Sequence, residues 1–197
     1  MNLLALELSS PVGSVASCGE NDAHAFKVFP ADRKDSGLFY ENLESTLAAS
    51  GKPEVIVVGL GPGSYAGVRI AIATALGLKA AMAANLVGLP SICAFPRPEY
   101  VVVGDARRNS FFFAHVVDGR CVRGPTLAAE EEIVSKLQQW RGLPHIATQP
   151  LSQFADVIVE HPSALRLAEL AREMDIEDAE ELEPIYLRAP YITVARK

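Results

Sequence analysis

The segment from Val55 to Leu89 constrains the fold of this chain more than any other. It reads as an apolar strand, a glycine-rich turn (G-L-G-P-G-S-Y-A-G) and an apolar helix over Gly67–Ala83. The helix carries only Arg69, Thr74 and Lys79 as polar residues larger than glycine, whereas a surface helix normally keeps a polar face. The pattern predicts a helix that is covered all round, either by the chain's own lobe or on one side by a second protein.

The net charge of −6 is mostly local. Glu173 to Glu183 contains seven acids and no base, and the rest of the chain is close to balance with 17 acids and 18 bases. A basic surface for autonomous nucleic-acid binding is therefore not indicated. The acidic run predicts a solvated helix face or linker, with a partner-docking segment as the alternative.

Cysteine and histidine usage favours a reduced, cytoplasmic protein without its own metal. Cys18, Cys93 and Cys121 are far apart and show no C-x-x-C spacing, and no histidine pair has metal-motif spacing. A secretory leader is not indicated at Met1, and Arg69 and Lys79 interrupt the longest apolar segment, so no membrane span is expected.

The order of patterns along the chain predicts two similar lobes. Each half opens with an apolar strand that ends in an acid near a turn, Glu7 in the first half and Asp105 in the second, and each continues into hairpin strands. Prolines 90, 96 and 98 mark the boundary, which gives domains 1–96 and 97–197. Two β-β-β-α-containing lobes facing each other across a cleft are expected.

Periodicity and turn residues predict the remaining elements. Asp118-Gly119 is expected to form a two-residue hairpin turn. Helices are predicted over Gly37–Ala49, with Asp35-Ser36 as the cap, over Leu127–Trp140, and over Ser163–Met174. Strands are predicted over Asn2–Leu8, Ser14–Cys18, His24–Phe29, Val55–Val58, Leu86–Leu89, Tyr100–Val103, Ser110–Val117, Cys121–Arg123 and Phe154–Val159.

The glycine turn matches a dinucleotide-binding fingerprint only in part. The run from Gly61 to Ala66 has the form G-x-G-x-x-A between a strand and a helix. However, Pro62 lacks the backbone N–H that a phosphate would bind. In addition, the sequence has no acid between Glu54 and Glu99, so no carboxylate is available there to bind a ribose. A nicotinamide-dependent oxidoreductase is the least favoured reading, and a Walker A loop is excluded by spacing.

Four polar residues define a candidate nucleotide cleft between the lobes. Glu7 and Asp105 could hold a metal–nucleotide complex, with Ser9 and Ser10 beside them. The alternative is that each acid bonds to nearby backbone N–H groups and that Asp105 pairs with a following arginine such as Arg107. The hypothesis drawn from this cleft is an actin-like ATPase or phosphotransferase that uses Glu7 and Asp105.

Four collinear motifs resemble one known family. The sequence G-P-G-S-Y-A-G-V-R-I-A-I-A-T-A-L-G-L is similar to the signature of the TsaB/YeaZ family. L-L-A-L-E-L-S-S resembles that family's N-terminal strand, V-V-V-G-D-A-R-R its second-lobe D-A-R, and P-I-Y-L-R-A-P its C-terminal P-x-Y-L-R-x-P. These matches span nearly the whole chain.

The resemblance implies an α/β fold of the actin-like class (ribonuclease H-like, ASKHA), duplicated into two lobes with mixed sheets and a reduced second lobe. It implies a non-catalytic subunit that supports the transferase adding threonylcarbamoyl to N6 of adenosine 37 in tRNA. The implied partners are a homologous, TsaD-like catalytic subunit and a TsaE-like ATPase, with a homodimer in isolation and tRNA contacted only through the complex. No intrinsic cofactor or metal is implied, although ATP or ADP at the partner interface is compatible with it.

Three positions depart from the family pattern. Glu7 stands where the family usually has Asp, Asp35-Ser36 where His-Ser is usual, and Ala66 where Thr is usual. One extra methylene at residue 7 would shift any metal ligand. The departures weaken a nucleotide-binding role more than a partner-binding role.

The resemblance places the partner interface on the helix that follows the glycine turn. Arginine at Ala75 is accordingly expected to abolish pairing and leave the fold intact. The interface residues expected on this basis are Gly63, Ser64, Tyr65, Val68, Arg69, Ile72, Ala75, Leu76 and Lys79.

Overall fold

The computed structural model describes residues 1–19, 23–31, 36–174, 177–179 and 181–188. Two five-stranded sheets form the framework. The first sheet contains β1 (Leu3–Glu7), β2 (Val12–Cys18), β3 (Ala23–Pro30), β4 (Val55–Gly59) and β5 (Asn85–Leu89). The second contains β6 (Glu99–Asp105), β7 (Phe111–Val117), β8 (Arg120–Ala128), β9 (His145–Ala147) and β10 (Val157–Val159).

The two sheets share one topology. The strand order is β3-β2-β1-β4-β5 in the first sheet and β8-β7-β6-β9-β10 in the second. In each sheet the first three strands in sequence pair antiparallel, and the last two add in parallel. This repeat confirms the duplicated, actin-like α/β fold.

The second lobe is the smaller version of the repeat. In the first lobe the helices α1 (Gly37–Ser50) and α2 (Tyr65–Met82) precede β4 and β5. In the second lobe α3 (Glu130–Gln139) precedes β9, but β9 and β10 have three residues each and no helix joins them. The last helix, α4 (Ala164–Arg172), follows β10.

Three apolar layers hold the two sheets together. Helices α1 and α2 cover one face of the first sheet, where Leu4, Leu6 and Ile56 contribute to the core. The opposite face of this sheet packs with α4 against the second sheet in a central core shared by both lobes. Helix α3 covers the outer face of the second sheet. The lobes therefore share a buried layer.

Helix α4 also ties the lobes together through hydrogen bonds. The backbone N–H of Ser163 donates to the carbonyl of Ala94 (3.0 Å), and that of Ala164 donates to Ser14 Oγ (2.9 Å). The division into 1–96 and 97–197 stays a prediction. The structure adds that the end of the second segment returns to the first sheet.

Several element boundaries differ from the sequence expectations. Helix α2 begins two residues earlier than predicted, because Ser64 caps it and its Oγ accepts a hydrogen bond from Gly67 N (3.2 Å). Strand β8 extends to Ala128, so α3 is shorter than Leu127–Trp140. The predicted turn at Asp118-Gly119 is confirmed, with φ of 47° and 70°. Asp35 lies outside the described residues.

Helix α2 is long and apolar enough to cross a membrane by length and composition alone, which the sequence reading had not expected. Core helices of soluble proteins pass the same test when they are mostly buried. Here only 22% of the helix is buried, and one side of it is exposed on the outside of the first lobe. This exposure raises the question of what covers the helix.

Candidate functional site

The glycine turn presses the start of α2 onto the end of β1. Ser64 N donates to the carbonyl of Ser9 (2.7 Å). A Cβ on Gly63 would overlap the carbonyl oxygen of Ser9, and a Cβ on Gly67 would overlap that of Leu8. Of the four glycines in the turn, only Gly61 has a positive φ, at 86°. The close approach of the turn and helix backbone to residues 8 and 9 explains why positions 63 and 67 are glycine.

The sheet-facing side of α2 contains three of the predicted interface residues. Val68 is 3% exposed, Ile72 is 7% exposed and Ala75 is fully buried, and all three pack in the core between α2 and the first sheet. The prediction that these side chains contact a partner is therefore wrong, because the chain's own sheet covers them. Arginine at Ala75 would disrupt the core rather than test an interface.

The opposite side of α2 is exposed and almost entirely apolar. Its central residue, Ala73, is exposed, Leu76 is 39% exposed, and no atom lies within 4 Å of the position a Cβ would take on Gly77. Arg69 is the one charged residue on this side. We call this side the outward face of α2; its exposed residues are Ala66, Arg69, Ala73, Leu76, Gly77 and Ala80.

The interface residues expected from the sequence include Arg69 and Leu76 but not the alanines and the glycine of the outward face, whose small side chains allow close helix–helix approach. Helical periodicity could have found them, since residues three and four apart share a face once Val68 and Ile72 are assigned to the sheet. The all-round apolar composition of α2 concealed which face was the inner one.

Lys79 faces a segment that we call the C-terminal strap, residues 177–179 and 181–188. Lys79 Nζ lies 2.6 Å from Asp178 Oδ1 and donates to the carbonyl of Ala179 (3.0 Å). Lys79 is thus engaged within the chain, and its contact with a partner stays a prediction. The Lys79 ammonium holds the pKa of the exposed Asp178 carboxyl below its usual range.

The strap runs along the edge of the first sheet next to β5. Leu86 N donates to Asp178 Oδ1 (2.8 Å), and Ala179 N donates to the carbonyl of Leu86 (2.8 Å). Further along, Ile185 N donates to the carbonyl of Leu60 (2.8 Å). Part of the acidic run is thus an extended segment bound to the sheet edge, instead of the solvated helix face or linker expected from sequence.

At the other end of α2, the strap contacts the first helical turn. The rings of Tyr186 and Tyr65 lie 5.5 Å apart. The guanidinium carbon of Arg69 lies 5.0 Å from the centre of the Tyr65 ring, and Arg69 Nη1 donates to Tyr65 Oη. Tyr186 belongs to the P-I-Y-L-R run, of which residues 184–188 are described.

A cavity of about 500 Å³ lies between the lobes at the carboxyl ends of β1 and β6. Ser9, Ser10 and Asp105 all line it, so three of the four predicted cleft residues come together there. The start of α2 and the strap, from Pro184 to Arg188, complete its wall. Edges of this type bind ligands in many α/β folds.

Glu7 does not belong to the lining of this cavity. Its side chain is fully buried, and Oε1 accepts a hydrogen bond from Ser9 N (2.6 Å). Oε2 lies against Gly59 and has no hydrogen-bond partner among the described residues. Burial raises the pKa of the Glu7 carboxyl. This environment favours a neutral carboxylic acid over a metal-binding carboxylate.

Replacing Glu7 with glutamine tests whether the buried carboxyl is neutral, because the two side chains should then differ in how the melting temperature depends on pH. A carboxyl whose pKa is raised by folding contributes stability that is present at low pH and is lost as pH rises through the folded pKa. We expect Glu7→Gln to match the wild type near pH 4 and to melt at a higher temperature near pH 8. Thermal unfolding at both pH values measures this, and a lower melting temperature for the variant at pH 8 would contradict it.

Asp105 is held by its own turn. Its Oδ1 accepts a hydrogen bond from Arg107 N (2.6 Å), and its Oδ2 lies 3.9 Å from Arg107 Nη1. This is the local pairing that the sequence offered as the alternative to a nucleotide site. Among the described residues, no group of three or more histidine, cysteine or acidic side chains is placed to hold a metal ion.

Comparison with known proteins agrees with this architecture. The family model described as TsaD, tRNA N6-adenosine threonylcarbamoyltransferase, matches residues 40–177. A curated relative, the uncharacterized protein ML0378 of Mycobacterium leprae, is 31% identical over 83 residues, which is 41% of this chain. The match spans 23% of that protein's length.

Two solved structures from Pseudomonas aeruginosa share the fold along nearly the whole chain. One is an uncharacterized protein with similarity to peptidase YeaZ, with a TM-score of 0.76, 20% identity, and coverage of 95% of this chain and 99% of that one. The other is YeaZ, with a TM-score of 0.71, 22% identity, and coverage of 94% and 99%. The chain belongs to the tRNA N6-adenosine threonylcarbamoyltransferase (TsaD) family, and its fold is that of the TsaB/YeaZ proteins it resembles in sequence.

Proposed function

We propose that this chain is the non-catalytic partner subunit of a tRNA threonylcarbamoyltransferase, supporting the enzyme that modifies N6 of adenosine 37. The observation that carries the proposal is the outward face of α2, an exposed apolar surface that the described residues leave uncovered. Contiguous apolar surfaces of this kind mark docking sites. We place the protein in the cytoplasm, where the tRNA is modified.

Membership of the transferase family supports a homologous partner. The matched region, residues 40–177, includes all of α2 and most of α1, so a transferase subunit of the same family carries equivalent helices. Two related subunits can pair equivalent surfaces about an approximate two-fold axis, as identical subunits do in dimers. We expect a homodimer through the same face when the chain is alone, and a TsaE-like ATPase that joins the heterodimer.

The environments of the carboxyl groups support a role without catalysis. Glu7 is enclosed beneath Gly59, and Asp105 is the one carboxylate in the described lining of the cavity. General acid–base chemistry and metal-dependent phosphoryl transfer both need groups that reach the reacting atoms. We therefore expect tRNA to be bound by the assembled complex, with any ATP or ADP held at the partner interface.

Reconstitution tests the proposal directly. Threonylcarbamoylation of tRNA is measured with the transferase and ATPase subunits of the same organism, with this chain omitted or added back. Modified adenosine that depends on this chain, together with no activity from the chain alone, is the expected result. Equal modification with and without the chain would refute the supporting role.

The interlobe cavity favours a second candidate, an actin-like ATP-dependent enzyme. It has the size and position of a small-ligand site and is lined by Ser9, Ser10 and Asp105. This candidate requires Glu7 to leave its enclosed position before it could act with Asp105. Calorimetric titration with Mg-ATP separates the two candidates: micromolar binding that is lost in Asp105→Ala favours the enzyme, and no heat favours the partner subunit.

A further inference from the structure

The strap holds α2 at both of its ends. Asp178 binds Lys79 in the last turn of the helix, and Tyr186 stacks on Tyr65 in the first turn. Backbone hydrogen bonds to the carbonyls of Leu86 and Leu60 fix the strap between these two contacts. The strap is therefore placed to influence the surface that α2 presents.

The contact at the first turn reaches the outward face itself. Tyr186 packs on Tyr65, and Tyr65 accepts a hydrogen bond from Arg69 and lies under its guanidinium. The two tyrosines are both about half exposed, so the stack lies at the border of the outward face. Because Arg69 is the one charged residue on that face, this chain of contacts positions its only cation.

An arginine within an apolar docking surface needs a carboxylate on the partner that covers it. A partner that covers it removes water from the guanidinium, which is costly unless the partner supplies a carboxylate. A guanidinium held in place before docking loses less side-chain freedom on binding. Charged groups at such positions mainly determine which partner is accepted.

We propose that Tyr186 is a positioning residue for docking, which acts through Tyr65 to hold Arg69 for a carboxylate on an otherwise apolar partner helix. This inference rests on the proposed function, because it assumes that the transferase subunit docks on the outward face of α2. It adds that the partner helix carries a carboxylate opposite Arg69, and it assigns the strap a role in recognising that partner. Helix α2 has no acid of its own, so a second copy of this helix could not supply the carboxylate, and the helix of the transferase subunit is the expected source.

A double-mutant cycle tests the route through Arg69. The dissociation constant for the purified transferase subunit is measured for the wild type, Arg69→Ala, Tyr186→Ala, the double variant and Tyr186→Phe. Arg69→Ala is expected to weaken docking about tenfold and Tyr186→Ala several-fold. The double variant should match Arg69→Ala, and Tyr186→Phe should stay near the wild type, because the ring contact is retained.

The salt dependence of docking by the same variants separates a positioning role of Tyr186 from general support of the fold. Removing Arg69 should make docking less sensitive to salt, and Tyr186→Ala should reduce that sensitivity in the same direction. Multiplicative losses in the double variant would mean that Tyr186 acts independently of Arg69 and would overturn the inference. Unchanged docking of Arg69→Ala would overturn it as well.

A further variant separates a failure of the proposed docking surface from a failure of the proposed role of Tyr186. Ala73→Arg blocks the centre of the outward face, one helical turn from Arg69, and leaves the ring contact between Tyr65 and Tyr186 in place. If Ala73→Arg docks normally, the docking surface is wrong and both proposals fall. If Ala73→Arg is blocked but the cycle shows independent effects, only the role of Tyr186 is refuted.

Discussion

Gly67→Ala is expected to destabilise the protein by about 3 kcal/mol, a large fraction of the roughly 5–15 kcal/mol that separates the folded and unfolded states of a typical protein. The added Cβ would overlap the carbonyl oxygen of Leu8, which is backbone and cannot move aside by changing a rotamer. Helix α2 would have to lift away from the end of β1, which would weaken the bond from Ser64 N to the carbonyl of Ser9 and open the core around Val68. Urea denaturation followed by circular dichroism measures the loss.

Gly77→Ala is the matched control in the same helix. No atom lies within 4 Å of the position that its Cβ would take, so the substitution meets no obstruction. Alanine in an exposed helix interior is more stable than glycine by about 0.5–1 kcal/mol, so this variant should be more stable than the wild type. Equal denaturation midpoints for the two alanine variants would show that α2 does not approach β1 this closely.

The sequence predicted this junction well, because strand, glycine turn and helix are all local patterns. The apolar run at Val55, the closely spaced glycines and the long apolar helix placed β4 and α2 within two residues of their observed bounds. The duplicated topology was predicted for the same reason, since each half opens with a similar strand and hairpin. Strand β9 was missed because three residues, His145 to Ala147, carry too little periodicity to be recognised.

The site was less predictable, because it depends on which surfaces tertiary packing leaves open. A helix that is apolar all round does not reveal which side faces the sheet, so Val68, Ile72 and Ala75 were assigned to a partner although they are core residues. Likewise, composition alone could not show that Asp178 meets Lys79 across 99 positions of sequence. Glu7 was recognised as unusual, but only burial shows that its carboxyl is enclosed away from the cavity.

Ala73→Arg is expected to weaken docking to the transferase subunit at least about 100-fold while leaving the fold intact. Ala73 lies at the centre of the outward face and is exposed, so the free protein can hold an arginine there in water. Arginine is also a good helix former. In the complex, however, the long charged side chain would separate two closely packed helices, and the partner carboxylate that we propose is already paired with Arg69.

Gln138→Arg provides the control for the added charge. Gln138 is an exposed residue of α3 on the second lobe, far in the fold from the outward face of α2. This variant carries the same new side chain on a helix and should dock and support tRNA threonylcarbamoylation as the wild type does. The two variants should also differ in self-association, with Ala73→Arg sedimenting as a monomer. Ala73 does not line the interlobe cavity, so Ala73→Arg leaves that site as it is. Modification activity that survives in this variant would therefore show that the subunits meet on a surface other than the outward face of α2.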